Sequence, residues 1–178
     1  NVFIGAYCFI DEGVVIKNNT YISERVSISY NCKIGEECFL GVGSVIECTI
    51  INDKVMISSN TVVGKSGFGF IPNKTKTQLT PHIGGGFIGE GTTIGAGCTI
   101  DRGLIDDTQI GKYVMIDNQV HIGHNSKIDD FCILAGQVGL SGSVVLKKNV
   151  TIGGDVSIKD NVTIGEDSVI AGASKVFN

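Results

Sequence analysis

The feature that most constrains this chain is a period of six. From Ile110 the sequence runs IGKYVM, IDNQVH, IGHNSK, IDDFCI, LAGQVG, LSGSVV, LKKNVT, IGGDVS, IKDNVT, IGEDSV, IAGASK, eleven hexads in succession, each opening with Ile or Leu. The stretch from Ile4 to Val45 carries seven more, and shorter runs fill 51–62 and 88–99. The first position is large and aliphatic; the fifth is small or β-branched. A helix needs a period near 3.6 and an ordinary strand a period of 2, so six fits neither as a long element. It fits a short strand followed by a turn. Positions one and five lie four residues apart and point the same way on a strand. Three bends close a triangular coil of about eighteen residues, and stacked coils pair strand on strand about 4.8 Å apart. The aliphatic residues fill the prism and the small fifth residues fit its corners.

The pattern predicts an all-β chain, a parallel β-helix of hexapeptide repeats shaped as a triangular prism. The likeness is to the left-handed form; the period alone does not set the hand. Residues 1–178 read as a single domain. With 42% hydrophobic residues the chain has material for a core despite 25 glycines. The net charge of −4 and the lack of any block of like charge argue against nucleic acid as a partner. No apolar run approaches the roughly 18–20 residues of a transmembrane segment. The chain opens on Asn1 and stops after SKVFN, which we read as a piece of a longer protein.

The register also sorts the cysteines. Cys8, Cys32, Cys38, Cys98 and Cys132 all occupy position five, where a thiol serves as a small buried hydrophobe. Cys48 alone falls outside. With no C-x-x-C pair, neither metal binding nor disulfides is expected, and a reducing cytoplasm suits the set.

The period breaks in three places. IECTI (46–50) is one residue short and reads as a tight bend. Residues 63–87 form an excursion with both prolines, a GFGF pair and a glycine triplet, expected to pack against or cover something. IDRGLIDDTQ (100–109) is four residues longer than a hexad.

Candidate chemistry centres on IDNQVHIGHN (116–125). His124 is the third residue of its hexad and sits in a turn. Eighteen residues on, the next coil presents Gly142; eighteen further, it presents Asp160 beside Asn161. A histidine base, a backbone N–H for an oxyanion and an amide along one ridge suit acyl transfer. Spacing alone leaves this open beside an exposed turn histidine or a structural solenoid with no chemistry. His121 occupies position six and leaves on a different part of the coil, and His82 lies in the long excursion, so no metal site is expected. There is no G-x-S-x-G, and GKSGFG (64–69) lacks the first glycine of a phosphate-binding loop.

At SGFGFIP (66–72), IGGGFIGEGTTIGAGCTIDRG (83–103), DDTQIG (106–111), IDNQVHIGHN (116–125), LAGQVGLSGS (134–143) and IGG (152–154), the chain resembles the UDP-3-O-acylglucosamine N-acyltransferases of lipid A biosynthesis. The resemblance implies a left-handed β-helix, a homotrimer with sites between neighbouring prisms, and a cytoplasmic enzyme of a Gram-negative bacterium. It implies transfer of an (R)-3-hydroxyacyl chain from the phosphopantetheine of acyl carrier protein to the 2-amine of the UDP-sugar, with no bound cofactor. His124 matches the general base and Gly142 the oxyanion donor. Asp117 matches a residue supporting base or substrate; Asn118 and Asn125 line the site. Asn161 stands where some members carry a second histidine, and Ser66 where the family loop often has Asp. The family's N-terminal uridine-binding module and C-terminal helical tail have no counterpart in this sequence. No basic surface for an acidic carrier stands out. The nearest rival reading is an acetyl-CoA-dependent N-acetyltransferase acting on a nucleotide amino sugar.

Overall fold

A computed structural model describes residues 1–73 and 75–177; Lys74, inside the predicted excursion, and Asn178 lie outside the described residues. The chain winds as a left-handed parallel β-helix: the period predicts the coil, and the hand is the one the resemblance implies. Three sheets form the faces of the prism. The first face holds nine strands from Phe3–Ile4 to Val169–Ile170, the second nine from Phe9–Ile10 to Lys175–Val176, and the third eight from Val15–Ile16 to Thr163–Ile164. Most strands are two residues long. Each pairs in parallel with the strand one coil away, as Ile116 does with Leu134 and Ile122 with Leu140.

The hexad explains the packing. Position-one residues such as Ile22, Leu40, Ile57, Ile94, Ile122 and Leu140 are fully buried along the axis. Position-five residues close the corners: Val26, Val114, Val138, and the cysteines Cys32, Cys38, Cys98 and Cys132, all buried and all free. Where position five is Thr, the hydroxyl is satisfied in the corner. Thr61 donates to Gly95 O at 2.6 Å and accepts from Cys98 N at 3.1 Å. Thr20 and Thr92 repeat the pattern. A buried hydroxyl with both partners is affordable where an unpaired one is not.

One rule of the turn was not legible from the aliphatic period. The fourth hexad residue sits in the left-handed region at almost every corner, from Tyr7 (φ 60°) and Asn19 (φ 60°) through Asn125 (φ 60°) to Asn161 (φ 62°). Asn, Asp and Gly recur there because they tolerate this conformation. Tyr113 and Phe131 occupy it as well, and their rings stack with centroids 5.8 Å apart outside the prism.

Each coil turns from first face to second, second to third, and third back to first. All three breaks of the period fall at the second-to-third corner. Glu47 and Cys48 bridge the strands Val45–Ile46 and Thr49–Ile51, with Cys48 in the left-handed region (φ 43°). The long excursion leaves after the strand Val62–Lys65 and returns at Gly86–Ile88, so it is shorter than the period predicts. It carries its own antiparallel hairpin, Phe70–Ile71 against Gln78–Leu79. Residues 102–107 form the third break, between Thr99–Asp101 and Thr108–Ile110. His124, Gly142 and Asn161 stack on this same corner in the coils that follow.

Candidate active site

His124 stands directly over Gly142. A Cβ built on Gly142 meets the imidazole Cε1 and Nε2 at 2.8 Å each, so only glycine leaves the ring its place. Backbone bonds fix the column: Ser143 N donates to His124 O at 2.8 Å, and Asn161 N to Gly142 O at 3.1 Å.

The proton on the ring is assigned by its neighbour. The amide of Asn125 is oriented from both ends: Oδ1 accepts from Leu104 N at 2.9 Å, and Nδ2 donates to Asp106 O at 3.2 Å. His124 Nδ1 lies 3.0 Å from that same Oδ1, which can only accept, so Nδ1 carries the hydrogen. In the neutral ring the Nε2 lone pair then faces Gly142 and the cleft. The left-handed backbone of Asn125 turns its amide back onto the preceding side chain. The third break therefore has a purpose: residues 102–107 supply the two backbone groups that orient Asn125.

The long excursion supplies the back wall. His82 is 2% exposed, and its Nδ1 donates to Thr80 O at 3.0 Å. Its ring meets that of His124 nearly edge-on, with centroids 5.2 Å apart and planes at 71°. Gly67 fits between them: a Cβ there meets His124 Cβ at 3.0 Å, His124 Cδ2 at 3.1 Å and His82 Nε2 at 3.0 Å. His82 Nε2 is buried without a partner among the described residues. The sequence places His82 only in a loop; nothing in the period shows that the loop folds back onto His124.

His124 and Gly142 open into a cleft of about 700 Å³. Phe68 and Phe70 of the excursion form one wall, His124, Gly142, Asp160 and Asn161 the corner, and His121, Gly139 and Ser157 the floor on the second face. His121 leaves from a strand and not from the turn, as its position requires, yet it opens into the same cleft. Its Nδ1 lies 2.8 Å from Thr99 Oγ1, and its Nε2 lies 4.0 Å from the carboxylate of Asp101. Asp101 is buried, 3% exposed, and paired with Lys65 Nζ at 2.9 Å. Among the described residues no group of three His, Cys, Asp or Glu is arranged to hold a metal ion.

Asp117 and Asn118 lie elsewhere. They occupy the first-to-second corner, where Asp117 Oδ1 caps Asn118 N at 2.7 Å and Asn118 Oδ1 caps Ala96 N at 2.8 Å. Asp117 there borders a shallow apolar groove with Met115, Ile133 and Ala135. Within one prism, the structure brings His124, Gly142, Asn125 and Asn161 together and leaves Asp117 and Asn118 a corner away.

Comparison with known proteins places this geometry. Residues 107–142 match the bacterial transferase hexapeptide (six repeats), and residues 32–65 match the hexapeptide repeat of succinyl-transferase. A UDP-3-O-acylglucosamine N-acyltransferase of Leptospira biflexa serovar Patoc is 43% identical over 98 residues, which are 55% of this chain and 28% of that protein. The chain thus matches little more than a quarter of this relative's length. Among solved structures, a UDP-N-acetylglucosamine acyltransferase from Campylobacter jejuni superposes with a TM-score of 0.86 at 28% identity, over 98% of this chain and 66% of that one. The Francisella novicida UDP-N-acetylglucosamine acyltransferase shares the fold, with a TM-score of 0.89 at 24% identity over 99% of this chain and 62% of that one. The chain is a left-handed β-helix of six-residue repeats, part of which match the hexapeptide repeat of bacterial transferases, and in sequence it is similar to a UDP-3-O-acylglucosamine N-acyltransferase.

Proposed function

We propose that this chain is the β-helical part of an N-acyltransferase that moves a 3-hydroxyacyl chain from acyl carrier protein to the 2-amine of UDP-3-O-acylglucosamine. The observation that carries the reading is the column of His124 over Gly142, with the imidazole lone pair on the cleft side. His124 Nε2 takes a proton as the amine nitrogen attacks the thioester carbonyl. The carbonyl oxygen becomes an oxyanion against Gly142 N–H. The C–S bond then breaks, the amide forms, and the imidazolium returns its proton to the departing thiolate. No metal or bound cofactor enters these steps; the acyl group arrives on the carrier's phosphopantetheine thiol.

The cleft is open on one side, and an isolated prism excludes water from it poorly. The homotrimer that the resemblance implies would enclose it, and the apolar, exposed residues Phe3, Tyr21, Met56, Met115, Ile133 and Val169 of the first face support contact between prisms there. Pairing that face with a neighbour's cleft brings the groove beside Asp117 to a second prism. This is the route by which Asp117 and Asn118 join the site.

The test uses the full-length enzyme. His124→Ala lowers kcat by about 10²–10⁴, the usual worth of a general base, with the melting temperature unchanged. Wild-type kcat in that variant ends the assignment. Offering acetyl-CoA and a 3-hydroxyacyl carrier protein in parallel, and following thiol release, separates the carrier-dependent reaction from an acetyltransferase.

A further inference from the structure

At three turns where the next coil carries Asp or Asn as its third residue, that side chain caps the amide N–H of the third residue below it. Glu36 N donates to Asp53 Oδ1 at 2.8 Å, Ala96 N to Asn118 Oδ1 at 2.8 Å, and Lys112 N to Asp130 Oδ1 at 2.7 Å. In each case the cap is the third residue of the next coil. Gly142 is also a third residue, and the third residue of its next coil is an acid, Asp160. The cap is nevertheless not made. Among the described residues Gly142 N–H donates to nothing, and Asp160 Oδ2 instead accepts from Asn161 Nδ2 at 2.8 Å.

We propose that Asn161 is a positioning residue that holds Asp160 aside and so keeps Gly142 N–H open. The inference rests on reading Gly142 as the oxyanion donor. The place a cap oxygen fills at the turns of Glu36, Ala96 and Lys112 is then, at Gly142, the place of the substrate's carbonyl oxygen. A carboxylate there competes twice, by taking the donor and by repelling the negative charge that develops in the transition state. Asn161 removes both effects with one hydrogen bond from the adjacent residue, and its left-handed backbone sets the amide beside the acid. Asp160 acts only through its reach to Gly142; Asn161 acts only through Asp160.

Three variants of the full-length enzyme test this: Asn161→Ala, Asp160→Ala, and the two combined. Two readouts are taken, kcat and the proton shift and hydrogen-exchange rate of the Gly142 amide. In Asn161→Ala the carboxylate swings onto Gly142: the amide moves downfield, exchange slows, and kcat falls by about tenfold or more, the scale of blocking one oxyanion donor. In the double variant the amide reopens and kcat returns to within about threefold of Asp160→Ala alone; without that rescue a plain substrate-binding role for Asn161 remains and the proposal fails. A Gly142 amide unchanged in Asn161→Ala also overturns it. An amide that becomes capped while kcat stays at the wild-type level supports the tether and removes Gly142 from the oxyanion role, so the two readings fail separately.

Discussion

Two corners of this prism are regular and one is not, and the difference shows where a β-helix can carry chemistry. At the first-to-second and third-to-first corners the chain repeats the same turn, with a small residue at position five and, at Glu36, Ala96 and Lys112, an Asx cap on the turn amide. At the second-to-third corner it loses a residue, then makes a long excursion, then adds four more, and the base comes next. The strands on either side keep their pairing, with one register shift between Val63 and Lys65 where the excursion departs. Val63 still pairs with Ile46 and Ile100, and Ile88 with Ile51 and Ile110. A corner can therefore change freely in length while its flanking ladders hold. The additions are not decoration: one orients Asn125, the other backs His124.

Glycines give the sharpest contrast between corner and face. Gly142→Ala puts a Cβ where the imidazole of His124 now lies, 2.8 Å from Nε2. The ring must move by about an ångström, and such a displacement of a base costs about 10²-fold in kcat. Gly139, on the floor of the same cleft, has nothing within 4 Å of a built Cβ. Gly139→Ala leaves the His124 column intact, and its kcat stays within about threefold of wild type. Equal losses from the two substitutions show that room in the cleft, not the geometry of the base, is what matters.

The regular part of this contrast was legible in the sequence and the irregular part was not. Ile or Leu every six residues fixes coil length, face and core, because each residue type answers to a local steric demand repeated at every turn. The stack of His124, Gly142 and Asp160, with Asn161 beside it, follows from adding eighteen. His82 does not follow from any period, since where an excursion folds back depends on contacts that appear once, such as Gly67 against two imidazoles. The separation of Asp117 from His124 was available from the register, as the two lie seven residues apart in turns of successive hexads. The family motif, read as one block, hid it.

A core substitution on a regular face probes the other side of the comparison. Ile116 is buried on the first face, in the strand Met115–Ile116. Ile116→Ala lowers unfolding free energy by about 2–5 kcal/mol, as removal of a buried aliphatic side chain does, measured by denaturant titration. The enzyme that remains folded keeps its kcat. A loss of kcat at unchanged stability means the axis and the site are coupled, and the independence of the corners is wrong.

His82 tests whether the excursion is a buttress. With Nδ1 on Asn125, Cδ2 against Gly67 and Nε2 over Gly142, the His124 ring is held on three sides. His82→Ala removes the wall behind it and lowers kcat by about tenfold with KM within about twofold, a positioning loss and not a binding loss. His82→Phe restores the wall without the nitrogen and recovers most of the rate. If the phenylalanine variant is as slow as the alanine variant, the buried Nε2 has a role of its own.

The smallest expected effect belongs to the corner cysteines. Burial is the main cause that pushes the thiols of Cys32, Cys38, Cys98 and Cys132 above the ordinary thiol range, outweighing the backbone hydrogen bonds that pull the other way. Their folded-state pKa values are raised, so the stabilisation from keeping these thiols neutral is complete below the unfolded thiol pKa. It is lost as pH rises through that value towards the folded one. Unfolding free energy should therefore be flat near neutrality and decline above about pH 8.5, where an unfolded thiol ionises. Replacing one of them, Cys132→Val, keeps a small apolar corner and makes the alkaline decline shallower. Cys48 is exposed at the irregular corner, where its sulfur accepts from Arg102 Nη1 at 2.8 Å. A thiol reagent at neutral pH labels Cys48 fastest, with the four corner thiols labelled only on unfolding. Rapid labelling of Cys38 or Cys98 in the folded protein means the regular corners open as readily as the irregular one, and the contrast between them fails.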